Sequence, residues 1–297
     1  MSEVVVFGGA GFIGSYVVDQ LVDRDYKVIV ADKKEPECFS SEVRFEFCDI
    51  LNFAETQKIA KKGEILFNFA GLSDIDESIE KPKETIEQNL IGNINILEAS
   101  KNLGVERYVF ASSAYAGSDK GSFYGISKLA SEKVVEEYSK IYNLAYTVIR
   151  YGSVYGERAD SRNGIYRLLR SAIETGAVND FGEENEVREY IHAKDAAKMT
   201  IDVIESLDFR NDTVILTGVE RLRKGEIIRI VEEILDKKIN LSASSKPRVG
   251  HYQVTPYSYK PSIARKLVSN TYIDLGQGLL SCIDAISGKI EKEHVDS

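Results

Sequence analysis

Tyr124 and Lys128 stand four residues apart, and Ser113 lies eleven residues before the tyrosine. At i and i+4 a phenol and an ammonium share one face of a helix. A free phenol titrates at about 10, too high for a base at neutral pH. A nearby ammonium, together with the positive ring of an oxidised nicotinamide, favours the phenolate and brings it toward working range. Ser113 follows an apolar strand, where its hydroxyl can bond a reacting alcohol oxygen and share the proton with Tyr124. Lys128 can also hold the nicotinamide ribose. The chemistry these three residues suit is proton removal from an alcohol beside a hydride acceptor.

A second pattern supplies the place for that acceptor. Residues 4–14 read Val-Val-Val-Phe-Gly-Gly-Ala-Gly-Phe-Ile-Gly, an apolar run entering a glycine-rich turn. Gly8, Gly9, Gly11 and Gly14 allow a tight turn, close approach of the backbone to a pyrophosphate, and close packing of helix on strand. Phe12 and Ile13 open the helix, whose N-terminus offers unpaired N–H groups to phosphates. Asp32 closes the second strand about 20 residues on, where a carboxylate accepts from ribose hydroxyls and repels a 2′-phosphate. That favours NAD over NADP, with Lys33 and Lys34 as the residues that weigh the other way. Asp49, followed by Ile50, ends the third strand; it suits either the adenine amine or a helix cap before Phe53.

The elements that must position these groups alternate. Strands are expected at Val4–Phe7, Lys27–Ala31, Val43–Cys48, Ile65–Phe69, Tyr108–Ala111 and Ala145–Arg150. Helices are expected at Ile13–Arg24, Phe53–Lys61, Lys83–Leu103 and Tyr124–Tyr142. Such βαβα alternation predicts an α/β fold, a doubly wound parallel sheet of Rossmann type. After Tyr151 the pattern loosens: helices at Ile165–Thr175, Ala193–Ser206 and Lys224–Lys237, short strands at Val187–Ile191 and Thr213–Leu216. An extended loop over 242–262, then helices near Ser262–Val268 and Gly278–Ile290, close the chain. This predicts a dinucleotide-binding domain over 1–160 and a smaller α/β substrate cap over 161–297, with about 190–215 returning to the first.

The 297 residues carry a formal charge of -9, which argues against nucleic acid as the main partner. No apolar run approaches the ~18 residues of a membrane span. Three cysteines, Cys38, Cys48 and Cys282, give no zinc spacing and suit a reducing cytosol. Val4 already lies in a strand, with no basic signal-peptide start before it, so a cytoplasmic protein without a bound metal is expected.

With these motifs in place, the chain resembles the extended short-chain dehydrogenase/reductase family, in its NAD-dependent epimerase/dehydratase group of nucleotide-sugar enzymes. The matching residues are the turn Gly8–Gly14, Phe67-Asn68-Phe69-Ala70-Gly71-Leu72, Glu77-Ser78, Lys81-Pro82, Asn89, Ser112-Ser113, Tyr124–Lys128, and Arg188-Glu189-Tyr190-Ile191-His192 with Asp195. The resemblance implies a nucleoside-diphosphate sugar, a UDP-sugar, bound between two domains. Arg188 and Arg248 would clamp the diphosphate, as a planar fork of donors suits. Phe69, Ala70, Gly71, Asn89, Ala111 and Tyr151 would line the cofactor, and Ser73, Ser113 and Ser153 the sugar. A homodimer through helices 83–103 and 124–142 is also implied, with Leu129, Val134, Val135 and Tyr138 as apolar stripe.

Dehydratases of this group carry Thr-Asp-Glu after the serine, whereas this chain has Ala114 and Tyr115. The resemblance therefore implies oxidation and re-reduction at one carbon, a 4-epimerase. The Ser113-to-Tyr124 loop is short, and Ser153 and His251 stand where relatives have Asn and Asp. His251 is open to three readings: general acid, ribose or phosphate contact, or plain loop position. A cofactor-consuming reductase or dehydrogenase, and a non-catalytic dinucleotide sensor, remain as alternatives.

Overall fold

A computed structural model describes residues 2–36, 39–179, 186–242, 250–255 and 264–295. The first half alternates as strand and helix: β1 (Glu3–Phe7), α1 (Phe12–Asp23), β2 (Lys27–Asp32), β3 (Arg44–Phe47), α2 (Phe53–Ala60) and β4 (Ile65–Asn68). Short helices α3 (Ile75–Glu80) and α4 (Pro82–Ile86), a π turn (Glu87–Ile91) and α5 (Gly92–Ser100) lead to β5 (Arg107–Ser113). Then come α6 (Ser122–Tyr142) and β6 (Tyr146–Tyr151). The second half holds β7 (Ser153–Tyr155), α7 (Gly164–Thr175), β8 (Ala177–Val178), β9 (Val187–His192), α8 (Ala193–Glu205) and β10 (Asp212–Leu216). It ends with β11 (Arg221–Arg223), α9 (Lys224–Leu235), β12 (Asn240–Leu241), β13 (Arg265–Leu267) and α10 (Leu275–Val295).

Eight strands form one sheet in the order β13-β10-β6-β5-β4-β1-β2-β3. Every pairing in it is parallel. A strand covered on both faces must be apolar on both, which is why β1 reads as a continuous run rather than an alternation. Val4 and Val6 face the layer of α1 and α8, with Val17, Leu21 and Ala197. Val5 and Phe7 face the other layer, with Ile59, Ile96, Leu97 and Val135. The order reverses between β1 and β4, so a crevice opens there at the carboxyl ends of the strands, where α/β ligands bind. A separate apolar core, with Leu169, Ile227, Val231, Leu279 and Ile283, supports the smaller lobe.

Three local expectations change. The helix expected over 83–103 is interrupted by the π turn, which puts Asn89 where its side chain can leave the helix. Its amide donates to the Leu72 carbonyl at 2.9 Å and to Ser127 Oγ at 2.9 Å, and its oxygen accepts from Leu72 N–H at 2.7 Å. Ser131 Oγ donates to the Asn89 carbonyl at 2.9 Å, repairing the ladder that the π turn loosens. The helix expected near Ser262–Val268 is instead β13, a parallel neighbour of β10. Val135, expected on an intersubunit stripe, is fully buried against the sheet. The loop expected over 242–262 lies largely outside the described residues, as does Cys38.

Candidate active site

The glycine turn is built by contacts that admit no side chain. Gly8 has φ +75°, and a Cβ there would sit 2.4 Å from Ala70 N. A Cβ on Gly14 would meet the Gly8 carbonyl oxygen at 2.4 Å, because α1 starts directly on the turn. Gly11 is the N-cap of α1 and brings no side chain to satisfy the first N–H groups. Those donors and the positive end of the helix dipole face the crevice, an anion site made of backbone alone. The residues thus fit the pyrophosphate of a dinucleotide.

Asp32 holds the turn in place. Its Oδ2 accepts from Ala10 N–H at 3.1 Å and its Oδ1 from Lys34 N–H at 3.2 Å. Lys33, one of the two lysines that spoke for a 2′-phosphate, has its ammonium 3.0 Å from Asp49 Oδ2. Asp49 also accepts from Leu51 N–H, while Asn52, rather than Asp49, caps α2.

One cleft of about 520 Å3 runs from this turn to the smaller lobe. Gly8, Gly11, Phe12, Ile13 and Gly14 line one end. Phe69, Gly71, Ala111, Tyr124, Lys128 and Tyr151 line its middle, with Ser73, Ser113, Ser153 and Arg188 further on. Asp32, Lys33, Asp49, Ile50, Ala70 and Asn89 are not on this wall. Ile50 is buried in the core, against Gly92. Asn89 is likewise buried and spends its amide on Leu72 and Ser127, so it shapes the 71–72 strip from behind. Arg248 lies outside the described residues.

The catalytic candidates converge. α6 presents Tyr124 and Lys128 to the carboxyl end of β5, both almost fully buried. Ser113 ends β5 beside Tyr124 on the same cleft, its hydroxyl accepting from Tyr115 N–H at 3.3 Å. Burial pushes the Tyr124 phenol up to about 12, and the neighbouring Ser113 hydroxyl works against the rise. Lys128 Nζ donates to the Ala111 carbonyl at 2.8 Å and stands 5.9 Å from the Tyr124 ring centre. Burial pushes the Lys128 ammonium down to about 8, against the pull of Glu132. A buried lysine that must carry a proton costs stability below that value. The unfolded chain binds more protons between about 8 and 10.5, so this group makes stability rise with pH across that window. Replacing Lys128 by Met is expected to stabilise the fold by about 3 kcal/mol at pH 7. The difference from wild type should vanish above about pH 10.5, as read by urea unfolding of both proteins across pH.

Sequence reasoning reached Arg188 and His251 on the far wall but passed over Tyr115 and Tyr252. The Tyr115 ring lies 6.4 Å from that of Tyr124 and 4.4 Å from that of Tyr252. Its hydroxyl is 3.4 Å from His251 Nδ1 and accepts from Arg188 Nη1 at 3.4 Å. His251 Nε2 is 3.3 Å from Asp76 Oδ1, which places this histidine on the wall beside Tyr115. Arg188 stacks 3.9 Å from the Tyr252 ring centre and pairs with Glu186, its Nε donating at 2.7 Å. Among the described residues, no group of three or more His, Cys, Asp or Glu side chains could hold a metal ion.

A doubly wound sheet with a glycine cradle at its crevice, and a buried Ser–Tyr–Lys set on the same cleft, define a dinucleotide-dependent enzyme of the Rossmann type. The chain belongs to the NAD dependent epimerase/dehydratase family, whose model matches residues 4–216. It is similar to a UDP-glucose 4-epimerase of Mus musculus, 31% identical over 257 residues that cover 70% of this chain and 74% of that one. A UDP-glucuronate 4-epimerase of Thermodesulfobacterium geofontis is 28% identical over 268 residues, 80% of this chain and 82% of that one. The solved UDP-glucuronic acid 4-epimerase of Bacillus cereus, in complex with UDP-glucuronic acid and NAD, shares the fold. Its TM-score is 0.86 at 21% identity, over 97% of this chain and 99% of that chain.

Proposed function

We propose that this chain is an NAD-dependent nucleotide-sugar 4-epimerase acting on a UDP-sugar. The observation that carries the reading is the buried Ser113–Tyr124–Lys128 set on the cleft that begins at the uncapped end of α1, with no carboxylate following the serine. NAD, held by the Gly8–Gly14 turn and the N-terminus of α1, would supply reversible hydride transfer at the sugar carbon. Tyr124 takes the proton of the 4-hydroxyl and gives it back, with Ser113 bonding the same oxygen. Lys128 lends the positive charge that a buried phenol needs before it can ionise near neutrality. Arg188 meets the diphosphate, leaving Glu186 to do so. Asp32 receives the adenosine ribose, and with Lys33 engaged by Asp49 the site favours NAD over NADP.

The test is a panel of UDP-glucose, UDP-galactose, UDP-glucuronate and UDP-N-acetylglucosamine, followed by proton NMR with catalytic NAD. Interconversion at C4 with no build-up of absorbance at 340 nm is expected. Stoichiometric reduction of added NAD would instead make the chain a dehydrogenase.

We also infer a division into an NAD-binding unit over 1–160 and a substrate unit over 161–297. It is supported by the separate small-lobe core, and by β10 returning to the large sheet. A cytoplasmic setting suits the two buried thiols Cys48 and Cys282. No described helix is long and apolar enough to cross a membrane. A homodimer is supported by exposed apolar side chains on one stretch of surface: Phe123, Ile126 and Leu129 on α6, and Ile91 in the π turn. Ile126→Glu is expected to halve the mass measured by light scattering; an unchanged mass would remove this face from the interface.

A further inference from the structure

Eight residues beyond Tyr124 on α6 lies a second buried charge that the reaction as described does not use. Glu132 is 1% exposed. Arg150, next to Tyr151 at the end of β6, donates to it from Nε at 2.9 Å and from Nη2 at 2.6 Å. Ser112, next to Ser113 on β5, donates to Glu132 Oε1 at 2.5 Å. Burying such a pair costs desolvation that its own attraction scarcely repays, so stability alone does not account for it. What it does in space is specific. It ties α6 to β5 and β6 at the residues immediately preceding Ser113 and Tyr151. It also places a carboxylate one helical turn past Lys128, on the face that carries Tyr124 and Lys128.

We propose that Glu132 is a positioning residue for this reaction: clamped by Arg150 and Ser112, it fixes the α6 register against β5 and supplies the negative charge that keeps the Lys128 ammonium protonated beside Tyr124. The inference rests on the Tyr–Lys reading above. Among the described residues, the groups that bear on the ammonium are Tyr124 and Glu132 on its own helix, and Arg150, bonded to Glu132 from β6. From β5 come the Ala111 carbonyl, the Phe110 ring at 5.0 Å, and the neutral hydroxyls of Ser112 and Ser113. Burial draws the lysine toward losing its proton, and Glu132 is the charge that opposes it.

The test reads NAD binding by calorimetry across pH, which reports on Lys128 without turnover. Affinity in the wild type falls on the alkaline side as the lysine deprotonates. Glu132→Gln keeps the shape and an acceptor oxygen but removes the charge. It is expected to move that limb down by about one pH unit, so that at pH 7.5 the Kd rises several-fold while at pH 6 it is unchanged. Arg150→Gln removes the opposite charge and is expected to move the limb up. A loss of affinity by the same factor at every pH, or limbs that shift the same way in both variants, would show a purely structural role and overturn the proposal. Where the Glu132 variant fails to fold, as near-UV circular dichroism will show, Arg150→Gln carries the test alone. Failure here is separable from failure of the epimerase reading, which falls only if turnover does not depend on Tyr124.

Discussion

Tyr124→Phe lowers epimerase turnover about 10^3-fold and leaves the Kd for NAD within about twofold of wild type. The substitution removes one oxygen and keeps the ring that packs edge-on against Tyr115. Nothing in the glycine cradle or the α1 terminus touches that oxygen, so cofactor affinity has no reason to change. The proton acceptor, in contrast, is gone, and neither Ser113 nor the Ala111 carbonyl can replace it. In the ligand-free chain the phenol is neutral at pH 7, because burial pushes it up to about 12. Turnover in the wild type therefore rises with pH as the phenol ionises in the loaded site, then falls once Lys128 gives up its proton. NMR rates at saturating sugar nucleotide, alongside NAD calorimetry, check both halves. A variant that keeps more than a tenth of the wild-type rate would show that another group is the base.

The second large effect belongs to Gly8→Ala. An added Cβ at this position meets Ala70 N at 2.4 Å, the Phe69 carbonyl carbon at 2.6 Å and Ala70 Cα at 2.7 Å. All three are backbone atoms of the strip that follows β4, so no rotamer change relieves them. The positive φ adds its own penalty for an L-residue. A loss of about 3 kcal/mol is expected from the overlap and the left-handed backbone together, measured as a lower urea midpoint at constant slope. The turn can only relieve the overlap by moving away from Ala70, which displaces the N–H groups aimed at the pyrophosphate. NAD affinity should fall by more than about 100-fold. Gly104 provides the control. Its φ is +68° but a Cβ there meets nothing within 4 Å, so Gly104→Ala should cost only the backbone term, about 1 kcal/mol. Equal losses in the two variants would mean that the close approach at Gly8 is not what the turn depends on.

How far the molecule was readable in its residues depended on the range of the interactions involved. The first six strands and their helices announce themselves through local apolar period, because each is buried by its immediate neighbours in the chain. Tyr124, Lys128 and Ser113 were legible for a similar reason: one helix face and one strand end bring them together. β13 was not, since Arg265–Leu267 becomes a strand only by pairing with β10, some fifty residues earlier. Local pattern carries no trace of that partner, and the segment resembles a short helix. The π turn escaped notice because its cause is Asn89 reaching back to Leu72, a contact between separate segments. Likewise, Tyr115, Tyr252 and Arg188 form one wall only after three distant segments meet. Val135 was assigned to the wrong side of α6 because a helix with two apolar faces does not say which one meets the sheet.

The large sheet is finished late, by β10 and β13, strands the chain reaches only after it has entered the smaller lobe. The polypeptide consequently passes back and forth between the lobes, at Tyr151–Ser153, His192–Ala193, Leu216–Arg221 and Leu267–Leu275. A lobe hung from one tether can swing wide; a lobe stitched down along several seams can only breathe. Several crossings hold the smaller lobe over the cleft more firmly than one would, and a reaction that gives its hydride back gains from keeping its oxidised sugar in place between the two transfers.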